Sequence, residues 1–137
     1  MNSSILYRTQ TTKTLREFVH ALAAAGQKRG FIIHNESTME MAHTFGKHGV
    51  KVGAGFDLHM IQICKPEKAA ASLSQNPERA ALMPKFITTF TGNGMTEIRM
   101  LRYGRTMIEA LVVDDPEFAS SLEESYNAIQ KMIEESL

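Results

Sequence analysis

The stretch from Phe56 to Pro84 constrains this chain most. FDLHMIQIC alternates along its length, so Phe56, Leu58, Met60, Gln62 and Cys64 share one face of an expected strand, the best candidate for the centre of a sheet. Lys65-Pro66 stops it, because proline has no N–H for a ladder yet suits the first turn of a helix, and Glu67 to Ser74 continues as a short helical run. Asn76-Pro77-Glu78 starts a second helix, with Asn76 as cap, and Ala80, Ala81, Leu82 and Met83 carry it to Pro84. The only cysteine, Cys64, therefore falls where a strand becomes a helix.

Around this segment the periodicities alternate. Ser4 to Thr9 reads as a first strand, and Thr11 and Thr12 offer caps for a helix from Lys13 to Lys28. Its Leu15, Phe18, Val19, Leu22 and Ala25 follow three-and-four spacing, and Gly26 and Gly30 supply its end. Phe31 to His34 is a short apolar run expected as a strand, and Ser37 or Thr38 caps a weaker helix over Met39 to Lys47. Lys85 to Thr91, a Gly92-Asn93-Gly94 turn and Thr96 to Tyr103 read as a hairpin. Thr106 to Val113 satisfies either period over so few residues, with helix favoured. Asp115-Pro116 opens a last helix, with Phe118, Leu122, Tyr126, Ile129 and Ile133 on one stripe and Glu117 in the first turn.

At 137 residues and 43% hydrophobic, the chain suffices for one real core and is short for two, so residues 1–137 are expected as a single domain. Fifteen basic and fifteen acidic side chains leave no net charge, which removes the electrostatic footprint of a general nucleic-acid binder. The first ten residues lack the basic and apolar regions of a secretory signal, and no run of about 18 apolar residues occurs. A lone cysteine forms no internal disulfide, which suits a reducing compartment. The expectation is a cytoplasmic protein with no nucleic-acid or membrane partner.

These residues carry a resemblance. The order strand, helix, Gly30-Phe31 strand, helix, Cys64-Lys65-Pro66-Glu67, the run QNPERAALMP from Gln75 to Pro84, a hairpin and a closing helix after Asp115-Pro116 resembles the bacterial family called domain of unknown function 302. The resemblance implies an α+β fold: two layers, a mainly antiparallel sheet with helices packed on one side, in the order β-α-β-α-β-α-α-β-β-α-α. It also implies frequent pairing into dimers, and no settled activity. The sequence departs from the family pattern at Lys65, where many relatives have Asn, and at Lys85, where some have a second cysteine. A two-cysteine redox or metal scheme does not carry over.

Cys64 is the leading chemical candidate. A helix start and the Lys65 cation favour its thiolate, whereas burial on a face shared with Phe56, Leu58 and Met60 would make it an inert small hydrophobe, the commoner fate of a free cysteine. His59, five residues earlier on a strand, faces the other way and lies about 16 Å off, so a basic partner must come from elsewhere, His34 first. Soft and imidazole donors at His34, Met39, Met41, His43, His48, His59, Met60 and Cys64 suit Cu(I), zinc or haem iron by type, but their spacing fits no ligand motif and such methionines are more often core filler. Gly53-Ala54-Gly55 precedes a strand, so it is a turn and not a phosphate loop. Arg99 and Arg102 face opposite ways on one strand.

The reading expected first is a non-enzymatic module for a small ligand or an interaction, acting as a homodimer, with a small apolar pocket near the third strand and the helix after Cys64. Cys64, Lys65, His34, His59 and Met60 are its candidate ligand-binding residues. The alternative is a single-thiol protein, a sulfur carrier or redox sensor using Cys64, and the third is a metal or haem binder.

Overall fold

The computed structural model describes residues 4–137. Five strands form one sheet in the order β1-β5-β4-β3-β2, where β1 is Ser4–Thr11, β2 Ile32–Ile33, β3 Leu58–Cys64, β4 Lys85–Gly92 and β5 Met95–Tyr103. Every pairing is antiparallel. The helices are α1 (Leu15–Gln27), α2 (Met41–Lys47), α3 (Pro66–Gln75), α4 (Arg105–Leu111) and α5 (Pro116–Ser136), with a 3-10 helix at Pro77–Leu82. Element order and α+β class are those expected, and 106–113 is resolved as mostly helix.

One face of the sheet supplies the core. Ile61 and Ile63 of β3, Ile87 of β4, and Ile98 and Met100 of β5 are buried against Phe18 and Leu22 of α1, Ile108 of α4, and the α5 stripe. On α5 that stripe is Phe118, Leu122, Tyr126, Ile129 and Ile133, the periodicity read from the sequence. The opposite face leaves Leu6, Phe86 and Leu101 exposed.

Several local expectations are corrected. The central strand is β4; β3 lies one place from an edge, flanked outside by the two residues of β2 and by an isolated bridge from Glu40 to His59. The β3 face holding Leu58, Met60, Gln62 and Cys64 is half-buried, and the residues between them, Ile61 and Ile63, face the core. Both faces of β3 are apolar, so alternation alone does not tell which one the helices cover. The α1 cap is Thr14, not Thr11 or Thr12: its Oγ1 accepts from the Glu17 N–H at 3.1 Å while Glu17 Oε1 accepts from the Thr14 N–H at 2.8 Å. Thr11 instead donates to the Leu137 carbonyl at 2.8 Å, tying β1 to the end of α5. Helix α2 starts after Glu40, with no side-chain cap from Ser37 or Thr38.

The β4–β5 hairpin turns at Asn93 and Gly94, with φ of 53° and 75°. Both values lie in the left-handed region that the tightest antiparallel turn requires, which is why Asn-Gly stands there. Among the described residues, no helix is long and apolar enough to cross a membrane.

Candidate functional site

Neighbouring antiparallel strands need only a tight turn, yet β3 and β4 are joined by α3 and the 3-10 helix. That connection and α5 border a half-open cavity of about 270 Å³. Pro66 ends β3 and opens α3; Asn76, whose side chain accepts from the Glu78 N–H at 3.1 Å, opens the 3-10 helix; Pro84 closes it before β4.

Arg79 braces the outer wall. It is 4% exposed, and its guanidinium donates through Nε and Nη2 to the two Asp115 carboxylate oxygens at 2.6 and 2.7 Å. Nη1 donates to Ser72 Oγ at 3.0 Å and Gln75 Oε1 at 3.2 Å, and the group stacks 5.2 Å from the Phe118 ring. Asp115 also accepts from Asn76 Nδ2 at 2.9 Å, so one carboxylate ties the 3-10 helix to the start of α5. The Arg79 hydrogen bond, above all, holds the Asp115 carboxyl at about 2, well below its ordinary 3.8.

Phe31, Leu73, Phe118 and Leu122 give the cavity apolar walls. Three ammonium-bearing side chains line it, Lys65, Lys68 and Lys85, and no Asp or Glu does. The Lys65 ammonium lies 5.6 Å over the Phe31 ring. Lys68 Nζ donates to the Ser121 carbonyl at 3.0 Å and to Ser125 Oγ at 2.9 Å. Burial pushes the Lys68 ammonium below its ordinary value and Lys65 adds to this, against an opposing pull from Glu124.

Lys85 is the most unusual of the three. Ile63 pairs with Lys85 and Ile61 with Ile87, so the β4 row facing the core runs Lys85, Ile87, Thr89. A lysine thus ends an inward-facing row whose next two members are fully buried. Its Nζ donates to the Met83 carbonyl at 2.9 Å. Burial lowers the Lys85 ammonium from 10.5 to about 8, with Cys64 pulling upward and Lys68 pushing further down.

Of the residues singled out from the sequence, Cys64, Lys65 and His34 come together here: Cys64 is half-exposed at the end of β3, and His34 is exposed at the rim. The His34 N–H donates to the Gln62 carbonyl at 2.8 Å, which fixes the rim to β3. His59 and Met60 do not join them. His59 stands opposite Thr89, its Nδ1 3.7 Å from Asp57 Oδ1, and neither Nδ1 nor Thr89 Oγ1 has a hydrogen-bond partner. Met60 exchanges its backbone groups with Met39 and the Asn35 side chain. Met41 and His43 belong to α2, His48 follows it, and Met39 packs against the core. No group of three or more His, Cys, Asp or Glu able to hold a metal ion occurs among the described residues.

Lys68, Lys85 and Ser125 were missed as site residues. Two signals exist for the lysines: Lys65 and Lys68 are three apart across a helix start and so project to neighbouring positions, and Lys85-x-Ile87 has strand spacing. Ser125 gives none, since only the fold brings α5 to the cavity.

Comparison with known proteins returns the same architecture. The crystal structure of an uncharacterised conserved DUF302 protein from Bacillus stearothermophilus matches with a TM-score of 0.76 at 17% identity, over 96% of this chain and 98% of that one. No curated protein matches. The family model for the domain of unknown function DUF302 matches residues 7–136, a span that runs from within β1 to the last residue of α5 and contains the whole cavity wall. On that match the chain belongs to the DUF302 family.

Proposed function

We propose that this protein is a binding module for a small organic anion with a short apolar tail, and that it acts as a homodimer. The observation that carries the ligand reading is the cavity of about 270 Å³ lined by three lysines and no carboxylate. Lys65, Lys68 and Lys85 are partly buried, and ammonium groups drawn together away from water are costly, so an anion that enters relieves that cost by pairing with them. Lys85 offers only one of its three N–H donors to a described acceptor, leaving donors for a ligand. Phe31, Leu73, Phe118 and Leu122 favour a tail of a few carbons, and the volume sits at the low end for a ligand pocket.

Calorimetric titration with hexanoate and with its neutral amide, hexanamide, tests this. Saturable binding of one hexanoate per chain, with at least tenfold weaker binding of the amide, is expected; a charged pair of this kind contributes about 1.5–3 kcal/mol. Equal affinity for the two, or no heat from either, contradicts the reading.

The homodimer reading rests on β1. It pairs with β5 on one side only, and Ile5 and Leu6 are 54% and 44% exposed along it. A two-fold pairing of such edges would cover both. Helix α5 shows solvent mainly Glu123, Glu124, Asn127 and Lys131, a polar surface that would serve less well as an interface. Sedimentation should give a species near twice the 15.3 kDa chain mass, with Leu6→Lys shifting it toward the single chain. A wild-type species at the single-chain mass at micromolar concentration contradicts it.

One observation favours a second reading, thiol chemistry at Cys64: the sulfur-bearing residue is half-exposed among the same lysines. Folded protein should then react with iodoacetamide at pH 6 faster than the denatured chain, and Cys64→Ser should abolish labelling. Labelling only on unfolding rules this out.

A further inference from the structure

We propose that Lys85 is a nucleophilic amine that captures a small 2-oxo acid as an imine, while Lys65 and Lys68 hold the acid's carboxylate. This deepens the anion-pocket reading and rests on it.

The geometry distinguishes Lys85 from its neighbours. Lys68 is anchored by two acceptors on α5, which fixes its charge at one wall. Lys65 rides on the Phe31 ring. Lys85 projects from the core-facing row of β4, beside the buried Ile63 and Ile87, and has no carboxylate lining the cavity with it. A lysine in that setting loses its proton more readily than one in water, and a neutral amine is the form that attacks carbonyl carbon. The lowered value of about 8 agrees with this. A carboxylate held by the two remaining ammonium groups would place an adjacent carbonyl at the third.

The chemistry is complete without any further reagent. The nitrogen lone pair forms a bond to the carbonyl carbon as the C=O π pair moves to oxygen. A proton passes from nitrogen to that oxygen, giving a carbinolamine. The nitrogen lone pair then forms the C=N bond as it expels hydroxide, which takes the remaining proton from that nitrogen and leaves as water. Water reverses the sequence, so the adduct is reversible and no oxidant or reductant takes part.

Reductive trapping tests it. The full chain is incubated at pH 8 with 2-oxohexanoate and cyanoborohydride, which delivers hydride to the imine and fixes it as a secondary amine, and modified peptides are mapped by mass spectrometry. Lys85 should be modified on the order of tenfold faster than exposed Lys51 and Lys131, because more of it is free amine at that pH. Hexanoate should suppress the Lys85 adduct and hexanamide should not. In Lys85→Met, total modification should fall to the rate of the exposed lysines; should that variant not fold, peptide mapping of the wild type decides alone. Modification spread evenly over all lysines, while calorimetry still shows hexanoate binding, overturns the imine and leaves the anion pocket standing. Neither hexanoate binding nor a selective adduct overturns both.

Discussion

Lys85 has a consequence for stability whose sign follows from its burial. Its ammonium has a folded value near 8 against 10.5 in the ordinary state, so below pH 8 both folded and unfolded chains carry the proton and the full burial penalty applies. Between about 8 and 10.5 the folded chain gives up its proton first, and the penalty is relieved as pH rises. A shift of this size corresponds to roughly 3–4 kcal/mol. Lys85→Met should therefore be more stable than wild type at pH 7, with an advantage that shrinks toward pH 10 in parallel urea denaturations; a pH-independent difference would show that Lys85 is well solvated. For the same reason hexanoate affinity should fall as pH rises through about 8, since the ligand then loses a cation. Asp115 behaves oppositely. Its carboxyl is held at about 2 by Arg79, so its contribution is present above about 3.8 and lost as pH falls through 2. Asp115→Asn should flatten the acid limb of the thermal-stability profile, and an unchanged limb would place the acid sensitivity elsewhere.

Elements differ in how much of them the sequence could disclose. Helices α1 and α5 are legible because each carries a long stripe at helical spacing: the α5 stripe is buried throughout, and on α1 Phe18, Leu22 and Ala25 are buried while Leu15 and Val19 are half-buried. Leu22→Ala or Ile129→Ala should each cost about 2–5 kcal/mol, while exposed Lys131→Ala should change little in a thermal melt; equal effects would mean the stripes face elsewhere. Half-buried Gln130, one residue before Lys131, is held differently: its Oε1 accepts from Arg102 Nη1 at 2.7 Å. Gly26 was read as a helix terminator and is a close-approach position: a Cβ there would stand 2.9 Å from Met132 Cε and 3.2 Å from the Phe31 carbonyl oxygen. Gly26→Ala should destabilise by about 1–3 kcal/mol, because the backbone oxygen cannot move aside as a side chain can; a neutral or stabilising change would contradict that contact. Strand β3 was legible as a strand but not in its orientation. Both of its faces are apolar, and only the helices settle which one is inside.

At the scale of the whole molecule, a lengthened connection between neighbouring strands meets the flank of the closing helix and borders a half-open cavity whose lining carries lysines and no carboxylate. Cys64, Lys65 and His34 could be placed near it from sequence because they flank one strand end and its paired strand. Lys68 and Lys85 flank the same segment, but they look like ordinary surface lysines until burial is known. Ser121 and Ser125 come from α5 and meet Lys68 only through tertiary packing. His59 and Met60 belong to the same strand, yet they lie nearer its start, opposite Thr89 and Thr88, whereas the cavity lies at its Gln62–Cys64 end.

The most direct measurement of the anion-pocket claim is a methyl NMR titration of protein labelled at its methionine methyl groups, since Met83 lines the cavity whereas Met100 and Met132 lie buried in the core. Hexanoate should move the Met83 resonance saturably, leave Met100 and Met132 nearly unchanged, and lose its effect when Lys68 is replaced by Met; hexanamide should do little at equal concentration. A Met83 resonance that does not respond to hexanoate, or that responds equally to hexanamide, would contradict an anion-binding pocket at the β3–α3 junction.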